Sequence, residues 1–146
     1  MKRLSTILFI FLIAAILIAA GFIIYLNVVP QQVNKFTEFY VLNAGGEAGD
    51  YPRTATVGVP VDLIIGVVNH EYQPASYKVD ITIGGAEVGQ ADIGTLAYQQ
   101  KWQEKVSFTP NVAGEKQSVD FFLYKDGGAE PYLKDPLRLY MNVVSQ

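Results

Sequence analysis

Chemistry in this chain has one natural place to start, Asn69-His70-Glu71, where an amide, the single histidine and a carboxylate stand in three consecutive positions. The segment follows an apolar run and leads into Tyr72-Gln73-Pro74, so it reads as a turn. As a functional cluster, Asn69, His70 and Glu71 would contact a ligand or a neighbouring subunit. As turn chemistry, Asn69 and Glu71 would hydrogen-bond backbone groups while His70 packs against a sheet, which is how turns ordinarily use such residues. A tetrahedral zinc site would have to be built mostly from carboxylates, since there is one His and no Cys. No metal or other cofactor is therefore expected.

The remaining reactive residue types do not assemble into a catalytic pattern. Nucleophilic catalysis needs a nucleophile, a base and an orienting group. Ser76, Ser107, Ser118 and Ser145 share one histidine and form no Gly-x-Ser-x-Gly elbow. Fourteen acidic residues offer many carboxylate pairs for glycoside hydrolysis, but no spacing singles one out. The loop Asn43 to Asp50 is rich in glycine yet carries Glu47 and Asp50 and no following Lys-Ser/Thr, so it is no phosphate cradle. With Asp126 and Glu130 elsewhere, these acids could suit a surface calcium ion, and plain turn chemistry accounts for them more simply. We expect a non-enzymatic protein with no catalytic residue.

What must position these residues begins with the stretch from Ile7 to Leu26, which holds no charged residue and almost nothing polar. At about 1.5 Å per residue, roughly 20 apolar residues cross a hydrocarbon core of about 30 Å. Inside lipid the backbone must satisfy itself, which demands a helix despite the many isoleucines. Lys2 and Arg3 flank its start, whereas Asn27 to Asn34 carry no charge, so the positive-inside rule keeps the N-terminus cytoplasmic and exports the rest. A cleavable signal peptide has an apolar core of about 7–15 residues before small residues. Here Phe22 to Leu26 continue past Ala19-Ala20-Gly21, which favours an uncleaved anchor. The expected organisation is a cytoplasmic N-terminus (1–6), a transmembrane helix (7–26), a tether (27–34) and an extracytoplasmic domain (35–146).

That domain has 112 residues, enough for one core. It carries fourteen acidic residues against nine basic ones, and this net charge of −5 repels phosphate backbones, so nucleic acid is not an expected partner. The absence of cysteine means that packing alone must hold it. Strand signals recur along it. Phe36 to Leu42 is a strand, Thr54 to Val57 a short edge strand, and Val61 to Asn69 is apolar at nearly every position, as a central strand would be. Tyr77, Val79, Ile81 and Ile83 alternate with Lys78, Asp80 and Thr82, and this strand is expected to pair with Val61–Asn69 as a hairpin. Two short strands are expected around Val88 and Ile93–Leu96. Further strands run from Trp102 to Phe108, Val119 to Tyr124 and Leu137 to Val143. Seven or eight strands with turn signals about every ten residues predict an all-β, immunoglobulin-like Greek-key sandwich, with a barrel as the alternative.

Phe36-Thr-Glu-Phe-Tyr-Val-Leu42, Tyr51-Pro52, Thr56-Val-Gly58, Gly66-Val-Val-Asn-His-Glu71, Tyr77 with Val79, Leu123-Tyr124 and Leu137-x-Leu-Tyr-x-x-Val143 together resemble a membrane-protein family of archaea and some bacteria. It is known as domain of unknown function sixteen-sixteen. The Asn-His-Glu segment after Gly-Val-Val is the most specific part of the likeness. The resemblance implies a cell-envelope domain and brings no activity with it.

These features point to a single-pass protein whose sandwich binds another envelope or membrane protein, as an accessory subunit of a membrane complex. The alternative is a module for surface polysaccharide, with Tyr72, Tyr98, Trp102 and Tyr132 as stacking platforms. Trp102 is expected inside the core. A hydrolase is the third reading.

Overall fold

The computed structural model describes residues 1–28 and 34–146. They fall into two compact units, Met1–Asn34 and Lys35–Gln146. The first contains helix α1 (Lys2–Val28), 27 residues long and apolar enough to cross a membrane. None of its residues is buried. The helix overruns the apolar stretch at both ends, because polar residues there stay within its own hydrogen-bonding pattern. Thr6 Oγ1 donates to the Lys2 carbonyl at 2.9 Å, and Asn27 Nδ2 donates to that of Ile23 at 2.8 Å. Asn27 and Val28 are thus helical rather than tether, and residues 29–33 lie outside the described residues.

The second unit is built from β1 (Phe36–Leu42), β2 (Thr54–Thr56), β3 (Val61–His70), β4 (Ala75–Ile83), β5 (Ala86–Leu96), β6 (Lys101–Phe108), β7 (Gly114–Lys125) and β8 (Leu137–Val144). They form a three-stranded sheet, β1-β3-β6, and a five-stranded sheet, β2-β8-β7-β4-β5. Two separate sheets make this an immunoglobulin-like sandwich and not a barrel. All pairings are antiparallel except β2 with β8. The alternation of each strand turns one set of side chains inward. Leu63, Ile65 and Val67 of β3 thus face Tyr77, Val79 and Ile81 of β4 and Val119, Phe121 and Leu123 of β7 across one continuous core. Phe108 meets Phe121 edge to face, with centroids 6.4 Å apart.

The hairpin expected between β3 and β4 does not form. β3 pairs with β1 and β6, whereas β4 pairs with β5 and β7 in the other sheet. The chain crosses between sheets after β3 and again after β6, so two adjacent strands of one layer continue into two adjacent strands of the other. Alternation decides which face a strand buries, and both strands bury theirs in either arrangement. The turn also begins later than expected, since β3 runs through Asn69 to His70. The two short strands expected around Val88 and Ile93 are one strand, β5, with register shifts opposite Tyr77/Lys78 and Ile81/Thr82. Each shift gives β5 an extra residue, Val88 or Ile93, packed on the core.

Trp102 is half-buried against the core, and the inward parity of Trp102, Val106 and Phe108 holds. On the opposite face of the three-stranded sheet, Gly66 leaves a notch that the Tyr40 ring fills, and its hydroxyl donates to Gln103 Oε1 at 2.7 Å. A Cβ at position 66 would collide with that ring. Gly66→Ala should therefore lower stability by about 1–3 kcal/mol in chemical denaturation. The double variant with Tyr40→Ala should lose less than the two single losses added together.

Candidate functional site

Asn69, His70 and Glu71 do not form one cluster. Strand alternation sends Asn69 inward and His70 outward, and Glu71 turns inward again as the chain leaves β3. His70 lies on the outer face, stacked on Phe36 with centroids 4.6 Å apart, and its Nε2 sits 3.3 Å from Glu38 Oε2. Asn69 is fully buried and shapes the crossover. Its Nδ2 donates to the carbonyls of Gln73 at 2.8 Å and Leu96 at 2.9 Å, while Oδ1 accepts from the Glu71 N–H at 2.8 Å.

Glu71 is 5% exposed and lies at the meeting point of four chain segments. Its Oε1 accepts from Thr37 Oγ1 of β1 at 3.0 Å and from Tyr132 of the β7–β8 connection at 2.7 Å. Lys125 of β7 pairs with Oε2 at 3.3 Å, and its ammonium lies 5.4 Å from the Tyr132 ring centroid. Because the Thr37 hydroxyl proton goes to Glu71, the Tyr77 hydroxyl 2.7 Å away must donate to Thr37. The Thr37 N–H in turn donates to the Tyr132 oxygen at 3.0 Å.

Burial alone would raise the Glu71 pKa, but the hydrogen bonds from Tyr132 and Thr37 and the nearby Lys125 ammonium outweigh it, so the carboxyl titrates below its ordinary value. Burial pushes the Tyr77 and Tyr132 phenols up, which keeps both as neutral donors. Thr37, Lys125 and Tyr132 carry no local sequence signal, for they reach Glu71 from distant stretches of chain. The available signal was parity. Leu63, Ile65, Val67, Asn69 and Glu71 continue one inward series, so a buried amide and carboxylate could have been read from it.

A second feature lies where the sheets part. A pocket of about 570 Å³ opens between β1 and β8, lined by Phe39, Val41, Tyr51, Phe121, Leu137 and Leu139, with Glu38 and Arg138 at its rim. Arg138 is held charged by a two-point pairing with Asp120, at 2.6 and 3.1 Å. Along the β1 wall, tyrosine hydroxyls occupy both ends of the strand's outer edge, Tyr132 at the Thr37 N–H and Tyr51 at the Val41 carbonyl. The β8 wall pairs with β2 only over Asn142–Val144, so Leu137 to Met141 have no strand partner on that side among the described residues.

In the two acidic loops, Asn43 and Asp126 serve as turn residues. Asn43 Oδ1 accepts from the N–H groups of Gly45 and Glu47, and its Nδ2 donates to the Gly49 carbonyl. Asp126 Oδ1 accepts from the Ser76 N–H. Among the described residues, no three His, Cys, Asp or Glu side chains are gathered to hold a metal ion.

The family model described as domain of unknown function (DUF1616) matches residues 30–144. The chain belongs to this DUF1616 family. No curated protein matches it. Among solved structures, its fold is similar to the CARDB domain of the PF1109 protein from Pyrococcus furiosus. The crystal structure of that domain, in complex with di-metal ions, has 16% identity and a TM-score of 0.50 and covers 77% of this chain and 98% of that one. Its solution structure has 17% identity and a TM-score of 0.51, covering 76% and 98%. At these identities the likeness establishes the fold alone.

In this DUF1616 domain the folded Glu71 carboxyl ionises below its unfolded value, so its contribution to stability is fully present above about pH 4.5 and is lost as pH falls through the folded pKa. Glu71→Gln should be less stable than the wild type by about 1–3 kcal/mol at neutral pH. The difference should narrow on acidification below about pH 4.5, as followed by urea denaturation at a series of pH values.

Proposed function

We propose that this DUF1616 protein is a non-enzymatic, single-pass membrane protein that presents its sandwich outside the cytoplasm to another envelope or membrane protein, as an accessory subunit. Helix α1 supports the anchor, and Lys2 and Arg3 at its start support a cytoplasmic N-terminus. In this reading residues 1–6 are cytoplasmic, 7–26 span the membrane and 35–146 form the exported domain. The observation that carries the interaction role is the apolar slot beside the unpartnered β8 edge. Such an edge offers main-chain hydrogen bonds to an extended segment, and the slot offers room for its side chains.

The groups with the chemistry to serve a reaction are otherwise engaged. Glu71 is enclosed in buried bonds, and His70 is held between Phe36 and Glu38. The polysaccharide reading has less support, because its four aromatics do not line one groove. Tyr72 and Tyr98 stack on each other with centroids 4.6 Å apart, while Trp102 and Tyr132 pack on the core.

A photo-crosslinking residue at Leu139 or Tyr140, in the full chain in native membranes, should yield a discrete adduct with another protein. The same residue at Gln103, on the outer face of β6, should not. No adduct at either β8 position, or equal adducts at all three, would refute the reading. Protease added to intact cells should remove the sandwich, and a protected sandwich would reverse the proposed orientation.

A further inference from the structure

One end of the sandwich concentrates exposed aromatic surface that neither the core nor the slot uses. The turns Glu71–Pro74 and Ala97–Gln100, the connection from Asp126 to Pro136 and the first residue of β1 all lie at this end. They expose Phe36, Tyr72, Tyr98 and Leu133. Tyr72 is held outward on a left-handed backbone, at φ 62°, and stacks on Tyr98. That conformation disfavours a bulky side chain, yet the position carries a tyrosine that is 49% exposed. The opposite end exposes Val59, Val112 and Val144 as its large apolar residues and no large aromatic.

We propose that this aromatic end is a lipid-contacting surface, resting in the headgroup region of a bilayer. The occupant follows from chain length and chemistry. Phe36, at this end, is separated from the last residue of α1 by seven residues, 29–35, so the two lie at most about 29 Å apart however the chain between them runs. Tyrosine suits a membrane–water interface because its ring is apolar and its hydroxyl remains hydrated. Charge does not drive the contact. Lys35, Lys101 and Lys134 are exposed here, but so are Asp126, Glu130 and Asp135. Binding should therefore persist on zwitterionic lipid. The inference rests on the anchored reading above and adds to it that the slot, not this end, is left free for a protein.

The test uses the full chain at one copy per phosphatidylcholine nanodisc. The native sequence has no cysteine, so single-cysteine variants can carry a spin label without a background. Gln73→Cys reports the aromatic end and Val112→Cys the opposite one. Co-elution with the disc reports the anchor, and access of a water-soluble paramagnetic reagent reports the contact. The label at 73 should be shielded several-fold relative to that at 112. Shielding should disappear in a Tyr72→Asn, Tyr98→Ser background whose thermal unfolding confirms a folded domain. Equal access at both positions in disc-bound protein overturns the contact while leaving the anchor standing. Elution without the disc overturns the anchor and the contact together. Shielding that survives loss of both tyrosines, or that requires two chains per disc, also overturns the proposal.

Discussion

A carboxylate taken out of water must be surrounded by donors, and in this domain that requirement ties one end of the sandwich together. Glu71 draws Thr37 from β1, Tyr132 from the β7–β8 connection and Lys125 from β7, with Tyr77 of β4 completing the chain of donors. Removing one partner would leave a buried charge or hydroxyl unpaired, and such orphaned groups cost more than the bonds gain net. The network therefore specifies how the segments meet more than it adds raw stability. In a chain without disulfides, that specification falls to side chains.

The crossing of the chain between sheets gives the network its place. β3 and β6 lie side by side in one layer and continue as β4 and β7, side by side in the other. Asn69 makes the first crossing possible by bonding the backbone on both sides of the turn and the end of β5. Beside the network the layers separate around the slot. There the β1 edge is blunted by tyrosine hydroxyls at each end, whereas part of the β8 edge has no strand beside it among the described residues. Blunting an exposed edge is how sheet proteins limit unwanted strand pairing.

Much of the fold was legible because it depends on short-range pattern. The alternation of Tyr77, Val79, Ile81 and Ile83 is the buried face of β4, and Leu137, Leu139, Met141 and Val143 is that of β8. The hairpin expected between β3 and β4 failed for a definite reason. A period of two assigns a strand its faces but leaves its neighbours open, and a short turn serves a crossover as well as a hairpin. The expectation of separate strands at Val88 and Ile93 failed because a bulge looks like a break in the pattern.

By itself the sequence determined an apolar N-terminal helix, a strand-built body without disulfides and the inward or outward sense of most side chains. These follow from composition and from periodicity along a single strand. Only the tertiary structure decided which strands share a sheet and that Thr37, Lys125 and Tyr132 converge on one carboxylate. Those are contacts between residues tens of positions apart, and they are selected by burying the whole core at once, which no local pattern encodes.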